Sequence, residues 1–209
     1  MKVSVIGTGN MGRGFAARLV KAGHSVGLVG RDGAKAAEVA KAVGAVAVSA
    51  RDAAKAEVIV LAVPYGNAVD ALTALGDIKG RVVIDLTNPL TADYMGLTIG
   101  HTTSAAEEIA RAVPGVTLVK GFNTVFADVL ASDRQVEGGR DVPAFLASDS
   151  AEAKAVAGEL AKSIGFAVVD AGGLKNARYL EALAGFNIYL GYGAGLGTSV
   201  TPIWLPLAG

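Results

Sequence analysis

The stretch Val3-Ser4-Val5-Ile6-Gly7-Thr8-Gly9-Asn10-Met11-Gly12 decides the fold of this chain. Its first part is rich in branched aliphatic residues and predicts a buried strand, and its second part fits G-x-G-x-x-G. A helical pattern follows at once, which is the context that this glycine motif requires. In that setting Gly7 permits the tight turn, Gly9 lets the backbone approach a pyrophosphate, and Gly12 lets the helix pack closely on the strand. The stretch therefore predicts a dinucleotide-binding loop.

Short runs of β-branched residues alternate with alanine-rich helical stretches along the chain, which is typical of a parallel sheet covered by helices. We expect an α/β, doubly wound, mainly parallel sheet in residues 1–120. The rhythm changes at Gly121, so residues 121–209 are predicted to form a small C-terminal α+β domain. The predicted strands are 3–6, 25–29, 45–48, 58–63, 81–86, 116–119, 142–147 and 166–169, and the predicted helices are 11–22, 34–43, one capped at Ser104, 151–163 and 177–189.

Composition excludes several classes of function. The 209 residues carry 19 basic and 19 acidic side chains, so the net charge of zero gives no footprint for nucleic acid. The absence of cysteine excludes disulfides, thiolate zinc sites and a cysteine nucleophile, and a cytoplasmic location is expected. No H-E-x-x-H or G-x-S-x-G motif and no carboxylate cluster occurs, so we expect no metal site and assign no catalytic acid or base.

The residues after the second predicted strand favour NADP over NAD. An NAD site usually carries a carboxylate at this strand end, about 20 residues past the glycine loop, to hold the ribose 2′-hydroxyl. This chain has Gly30 and Arg31 instead. A guanidinium can hold a 2′-phosphate bidentately, and Lys35 adds a second positive charge. Asp32 would oppose a phosphate if its carboxylate pointed inward.

Three further segments follow predicted strands, at 62–65, 87–90 and 121–124, and ligands of open parallel sheets bind at these strand ends. Asn88 and Asn123 can each donate and accept hydrogen bonds, which suits a nicotinamide carboxamide or a neutral planar ring. The alternative for Asn88, which precedes Pro89, is an Asx turn without a ligand. The tail after Glu181 has no charged residue but is rich in glycine and includes Pro202 and Pro206. We expect it to pack in a substrate pocket or subunit interface rather than to span a membrane.

These segments together resemble the coenzyme F420-dependent NADP reductase family, over nearly the whole chain. The resemblance rests on the glycine loop, Gly30-Arg31, residues 62–64, 85–90 and 120–124, and the late segments 170–174 and 177–181. It implies a Rossmann domain with a small C-terminal domain, NADP(H) at the sheet edge, a deazaflavin (F420) or flavin (FMN or FAD) acceptor, and a homodimer. The expected cofactor-binding residues are Gly7, Thr8, Gly9, Asn10, Met11, Gly12, Gly30, Arg31, Lys35, Ala62, Val63, Pro64, Asn88 and Pro89, and the expected substrate-binding residues are Phe122, Asn123 and Thr124.

Two other functions stay open at this point. One is an NADPH-dependent imine, carbonyl or hydroxyacid reductase, although those enzymes use a larger helical C-terminal region and the hydroxyacid enzymes an Asn-x-x-x-Lys motif that this chain lacks. The other is a non-catalytic dinucleotide sensor. The position of Gly30 departs from the reductase family, where a hydroxyl residue is common, so one contact to the 2′-phosphate is in doubt.

Overall fold

All named strands of the computed structural model, which describes residues 1–133, 135–205 and 207, belong to one sheet. The strand order is β3-β2-β1-β4-β5-β6-β7-β8, and every neighbouring pair is parallel except β6 and β7. This confirms the α/β, mainly parallel, Rossmann-like architecture. The strands are β1 (Lys2–Ile6), β2 (Ser25–Val29), β3 (Val46–Ala47), β4 (Val58–Leu61), β5 (Val82–Asp85), β6 (Thr117–Gly121), β7 (Val142–Ala147) and β8 (Phe166–Asp170).

The helices cover both faces of this sheet and begin where the sequence offers capping residues. The side chains of Asp32, Ser104 and Ser150 each accept a backbone N–H three residues on, which satisfies one of the free donors in the first turn. The helices are α1 (Asn10–Lys21), α2 (Gly33–Val43), α3 (Ala50–Ala53), α4 (Ala68–Thr73), α5 (Ala105–Ala112), α6 (Ala127–Leu130), α7 (Ala151–Ser163) and α8 (Ala177–Ile188).

Several predicted boundaries were wrong. The strand predicted at 58–63 ends at Leu61, because the chain turns away to form the wall of a cavity at Ala62 and Val63. After Pro64 the chain forms a short 3-10 turn over Tyr65–Asn67, and α4 starts at Ala68. The short helices α3 and α6 were not predicted, since four residues are too few to show a helical period.

The C-terminal segment continues the sheet of the N-terminal one. β7 pairs antiparallel with β6, with Gly121 opposite Leu146, and β8 pairs parallel with β7. One apolar cluster includes Val3 of β1 and Phe166 of β8. The division at residue 121 stays a prediction. No helix among the described residues is long and apolar enough to cross a membrane. Of the glycine-rich tail, Pro206 lies outside the described residues.

The glycine loop is closed so tightly that two of its glycines cannot carry a side chain. Gly7 has φ +123°, and a Cβ there would lie 2.1 Å from the carbonyl oxygen of Ala62. A Cβ at Gly12 would lie 2.0 Å from the carbonyl oxygen of Gly7, whereas a Cβ at Gly9 would meet no atom within 4 Å. Gly12 therefore lets α1 pack closely on the end of β1, Gly7 lets the loop pass close to the chain after β4, and Gly9 leaves its backbone open to solvent.

The different roles of Gly9 and Gly12 can be tested by experiment. Gly12→Ala should lower the melting temperature, because its methyl group overlaps a backbone oxygen that cannot move without displacing β1. Gly9→Ala should leave the melting temperature within about 2 °C of the parent, since Gly9 has φ −75° and free space. Thermal unfolding followed by circular dichroism measures both, and equal melting temperatures for the two variants would contradict this account.

Candidate functional site

A cavity of about 570 Å³ lies against the outer side of the glycine loop, and we call it the loop cavity. It opens at the carboxyl ends of β1, β2 and β4, the position at which parallel sheets of this topology bind ligands. The N-terminus of α1 adjoins it, with no side-chain cap at Gly9 and no acidic residue in the first turn. That helix end can bind an anion. The predicted residues that line the loop cavity are Gly7, Thr8, Gly9, Gly30, Arg31, Ala62, Val63 and Pro64.

The residues expected to recognise a 2′-phosphate lie at one end of the loop cavity. Arg31 is exposed and lines it, and Thr8 lines it beside Gly30. A Cβ at Gly30 would lie 2.7 Å from the methyl group of Thr8, so glycine makes room for that side chain. Asp32 caps α2 by accepting the backbone N–H of Lys35 at 3.1 Å. The carboxylate of Asp32 is thereby engaged at the helix end, and Lys35 is exposed outside the cavity.

A second cavity, of about 580 Å³, lies on the other side of the loop, beyond Met11. We call it the amide cavity, because Asn88 and Asn123 line it together with Thr124. The rest of its wall is mostly apolar or aromatic, and Asp93 is the only acidic residue among the described residues that line it. Among the described residues the cavity is lined by no histidine, lysine or arginine, so its wall offers no evident acid–base pair. The wall residues that sequence reasoning missed include Asp93, Tyr94, Met95, Phe126, Ile188 and Tyr192.

Asn88 and Asn123 hold each other in a reciprocal pair. Asn88 Nδ2 donates to the carbonyl oxygen of Asn123 at 2.9 Å, and Asn123 Nδ2 donates to Asn88 Oδ1 at 2.9 Å. Asn123 Nδ2 also donates to the carbonyl oxygen of Leu180 at 2.9 Å, which fixes the orientation of the amide because that oxygen can only accept. Asn88 therefore bonds across the site and does not form the side-chain bond of an Asx turn. Asn123 Oδ1 and Thr124 Oγ1 are buried without a protein partner among the described residues.

The segment between Thr91 and Gly96 forms one wall of the amide cavity. The hydroxyl of Thr91 and the backbone N–H of Met95 both donate to Asp93 Oδ1, at 2.5 and 3.0 Å. These hydrogen bonds, with that of Thr91 the larger influence, hold the pKa of Asp93 below its usual value, so the carboxylate stays ionised at neutral pH. Tyr94 has φ +62°, an unusual conformation for an aromatic residue, and its ring is exposed at the cavity wall.

A buried ionic network lies behind the amide pair. Lys120 Nζ is 2.9 Å from Asp85 Oδ2 and 2.9 Å from Glu181 Oε1, and all three side chains are almost fully buried. Glu181 also accepts the backbone N–H groups of Ala105 and Ala106 at 2.7 and 3.1 Å, at the N-terminus of α5. The positive end of that helix thus compensates the second carboxylate.

The ionic network reaches the amide pair through the backbone. Lys120 Nζ donates to the carbonyl oxygen of Thr87 at 2.5 Å, and the N–H of Thr87 donates to Asp85 Oδ1 at 2.9 Å. Thr87 precedes Asn88, so these bonds fix the peptide from which one amide projects. On the other side, Leu180 accepts from Asn123 and adjoins Glu181. Sequence reasoning gave Lys120 and Glu181 no role.

The structure places the remaining predicted site residues outside both cavities. Gly12 packs on Gly7, and Asn10 is exposed on another surface. Pro89 is buried and accepts the N–H of Thr98 at 2.7 Å, which holds the wall segment. Phe122 is fully buried, because its ring packs edge-on between Phe15 and Phe166 at 4.8 and 5.3 Å. Within the described ranges, no group of three or more His, Asp or Glu side chains is arranged to hold a metal ion.

The residues present fit a dinucleotide that runs from one cavity to the other. An uncapped helix end and a backbone open at Gly9 suit a pyrophosphate, and Arg31 suits a further phosphate. The amides of Asn88 and Asn123, which line the amide cavity, suit a polar ring substituent. The loop 7–12 contributes wall residues to both cavities, with Gly7, Thr8 and Gly9 in the loop cavity and Met11 in the amide cavity.

Removing the charge of Lys120 should destabilise the protein strongly. Lys120→Met leaves two buried carboxylates without their cation, which costs about 3–5 kcal/mol of unfolding free energy. The triple variant Lys120→Met, Asp85→Asn and Glu181→Gln keeps similar shapes without the unpaired charges, and should recover most of that loss. Urea unfolding measures all three proteins. A single variant as stable as the parent would show that the network carries no net structural constraint.

Comparisons with known proteins agree with this geometry. Residues 2–89 match the family model described as NADP oxidoreductase, coenzyme F420-dependent. A crystal structure from Arthrobacter sp. FB24, provisionally assigned as an F420-dependent NADP reductase, superimposes with a TM-score of 0.85 and 31% identity over 95% of this chain and 96% of that one. The metalloreductase STEAP3 of Rattus norvegicus is 32% identical over 87% of this chain, which spans only 36% of that protein.

The F420-dependent NADP reductase of Methanothermobacter marburgensis matches over most of the length of both proteins. It is 34% identical over 91% of this chain and 92% of the reductase. The chain therefore belongs to the family of coenzyme F420-dependent NADP oxidoreductases.

Proposed function

We propose that the chain transfers a hydride between NADP(H), bound along the glycine loop, and the deazaflavin ring of coenzyme F420, bound in the amide cavity. The observation that carries the proposal is that the loop 7–12 contributes wall residues to two cavities, one beside a free helix end and the other lined by amides and apolar groups. Hydride transfer between two planar rings needs stacking and orientation more than a protein acid or base. This matches a wall without an acid–base pair among its described residues.

In this proposal the loop cavity holds the adenosine and phosphate part of NADP(H). The backbone at Gly9 and the N-terminus of α1 face the pyrophosphate, and Ala62 to Pro64 form the opposite wall. Arg31 and Thr8 take the 2′-phosphate, with Lys35 as a more distant positive charge at the start of α2. The carboxylate of Asp32 caps α2, and the carboxylate that lines the loop cavity is that of Asp70, in the first turn of α4.

The amide cavity orients the two rings. Asn88 and Asn123 are locked by three hydrogen bonds, so their remaining polar atoms have fixed directions and cost little entropy to use. Thr124 adds a hydroxyl without a described partner. The nicotinamide supplies the hydride when NADPH is bound: NADPH and one proton give NADP⁺ and the dihydro form of the acceptor. The proton comes from solvent water.

The family relatives support F420 as the acceptor, and flavins are the nearest chemical alternative. The Methanothermobacter reductase is named for F420 and matches over 92% of its length, whereas the metalloreductase has about two thirds of its length outside the matched region. The amide cavity has room for one ring system on the nicotinamide and no feature that selects the carbon of a deazaflavin over the nitrogen of a flavin. FMN and FAD therefore belong in the same assay.

We also propose that the protein is a homodimer that pairs through the exposed face of α8. Tyr179, Phe186 and Tyr189 are 74%, 58% and 48% exposed and lie on successive turns of α8 and its continuation. Trp204 and Leu205 of the tail are also exposed, although Trp204 packs edge-on against Phe145 at 5.5 Å. Aromatic surface of this extent is typical of an interface. The cytoplasmic location stays a prediction.

The assay is oxidation of NADPH by purified protein with F420, FMN or FAD, followed at the absorbance of reduced nicotinamide. We expect F420 to be reduced with the highest kcat/KM of the three. Gly12→Ala serves as a control for loss through misfolding. If none of the three acceptors is reduced by well-folded protein, the proposal is wrong, and a sensor role or a small imine or carbonyl substrate takes its place.

Arg31→Ala tests the choice of dinucleotide. Losing a charge-assisted contact to the 2′-phosphate should cost about 1.5–3 kcal/mol, which raises the Kd of NADPH roughly 10- to 150-fold and leaves that of NADH unchanged. Arg140→Ala is the matched control, since Arg140 is exposed and lines neither cavity. Fluorescence titration measures the affinities of the parent and of both variants for NADPH and for NADH. An equal loss for both cofactors would remove Arg31 from this role.

A further inference from the structure

The side of the loop cavity formed by α3 and α4 carries groups that the function proposed so far does not use. Its apolar part comes from the first residue of α3 and from the second half of α4 with the residues that follow it, and consists of Ala50, Ala71, Ala74 and Leu75. Asp70 lies beside this apolar part in the first turn of α4, and Asn67 precedes the helix. Apolar surface with a few polar groups at its edge suits a planar heteroaromatic ring.

The two polar side chains on this side of the cavity are available to a ligand. Asn67 occupies the N-cap position of α4, yet its amide makes no capping hydrogen bond. The carboxylate of Asp70 has no hydrogen-bond or ion-pair partner within the described part of the chain. Since both residues line the loop cavity and are about one helical turn apart, one ligand can contact both.

The carboxylate of Asp70 is the acidic group in a cavity that otherwise suits anions. Like charges repel, so this carboxylate lowers the affinity for a phosphorylated ligand unless the ligand brings a hydrogen-bond donor to it. The strand that leads to Arg31, β2, and the strand that precedes α4, β4, lie on either side of β1. Neighbouring strands are about 4.8 Å apart, so the ends of β2 and β4 are separated by about 10 Å. A 2′-phosphate at Arg31 therefore leaves the α4 side of the cavity to the base.

We propose that Asp70 selects the base of the dinucleotide by accepting a hydrogen bond from the 6-amino group of adenine, while the ring packs on Ala71 and Leu75. This rests on the function proposed above, which puts the adenosine of NADP(H) in the loop cavity. The 6-amino group carries the N–H donors of that adenosine, and a carboxylate can only accept. The same carboxylate repels a purine that has an oxygen at position 6. Asp70 is thus a specificity-determining residue for a 6-aminopurine dinucleotide.

The test compares NADPH with reduced nicotinamide hypoxanthine dinucleotide phosphate, which has an oxygen in place of the 6-amino group. Titration followed by the fluorescence of the reduced nicotinamide uses the same reporter for both. Wild-type protein should bind NADPH about threefold to tenfold more tightly than the hypoxanthine dinucleotide. Asp70→Asn should bring the two Kd values within about twofold of each other, because an amide can also donate to the 6-oxygen. Asp77→Asn, at an exposed aspartate outside the cavity, is the matched control and should keep the wild-type ratio.

The outcomes separate this proposal from the one beneath it. If wild-type protein binds neither dinucleotide, the proposed function itself fails. If wild-type protein binds both equally, or if Asp70→Asn strengthens the binding of both by the same factor, Asp70 acts only by repelling phosphates and the present proposal alone is overturned. A second variant, Asp70→Ala, neither accepts nor donates, so it should also abolish the preference for adenine. Loss of the preference in both Asp70 variants, with the preference kept in Asp77→Asn, supports the proposal.

Discussion

The buried pairing of Lys120 with Asp85 and Glu181 is the interaction on which the candidate site depends. Three ionised groups without solvent are stable only when every charge has partners, and here the partners come from β5, β6, α8 and the N-terminus of α5. Because the ammonium also binds the carbonyl oxygen of Thr87, its position sets the peptide that carries Asn88. The network thus fixes the relative positions of β5, β6, α5 and α8, which are far apart in sequence, beneath the amide cavity. An apolar cluster of the same volume would stabilise the fold but would not direct an amide.

The antiparallel strand β7 explains how the amide cavity acquires wall residues from both the N-terminal and the C-terminal segment of the chain. Since β7 and β8 extend the sheet beyond β6, the chain returns to the strand ends at residue 170, and α8 crosses the carboxyl edge. Arg18 fixes the opposite side: its guanidinium donates to carbonyl oxygens of Leu130 and Ile164, at 2.5 and 2.6 Å, which ties the helix of the glycine loop to α6 and α7. The glycine loop and α8 are therefore held at a fixed distance from each other.

Local patterns in the sequence were sufficient to predict the dinucleotide-binding loop and most of the helices. Gly7, Gly9 and Gly12 act within one turn, and Ser104 caps a helix three residues on, so their signals are readable in a short window. The ionic network could not be predicted in this way, because Lys120 meets partners 35 and 61 residues away and a lone lysine in a strand shows no period. Phe122 was assigned to the substrate for its place after β6, yet its φ of +59° turns the ring into the core. The wall at residues 93–95 follows from loop geometry, which has no sequence period.

The buried network also affects the order in which parts of the protein fold during synthesis on the ribosome. Chains grow from the N-terminus and fold as segments emerge, so β1 to β6 are available long before residue 181. Until Glu181 arrives, the N-terminus of α5 lacks the carboxylate that satisfies it, and Asn123 lacks the carbonyl oxygen of Leu180. A nascent or truncated chain can thus have a complete loop cavity while its amide cavity is still unformed. Cellular proteases that sample loosely packed segments would recognise such a chain by the region around residues 87–124.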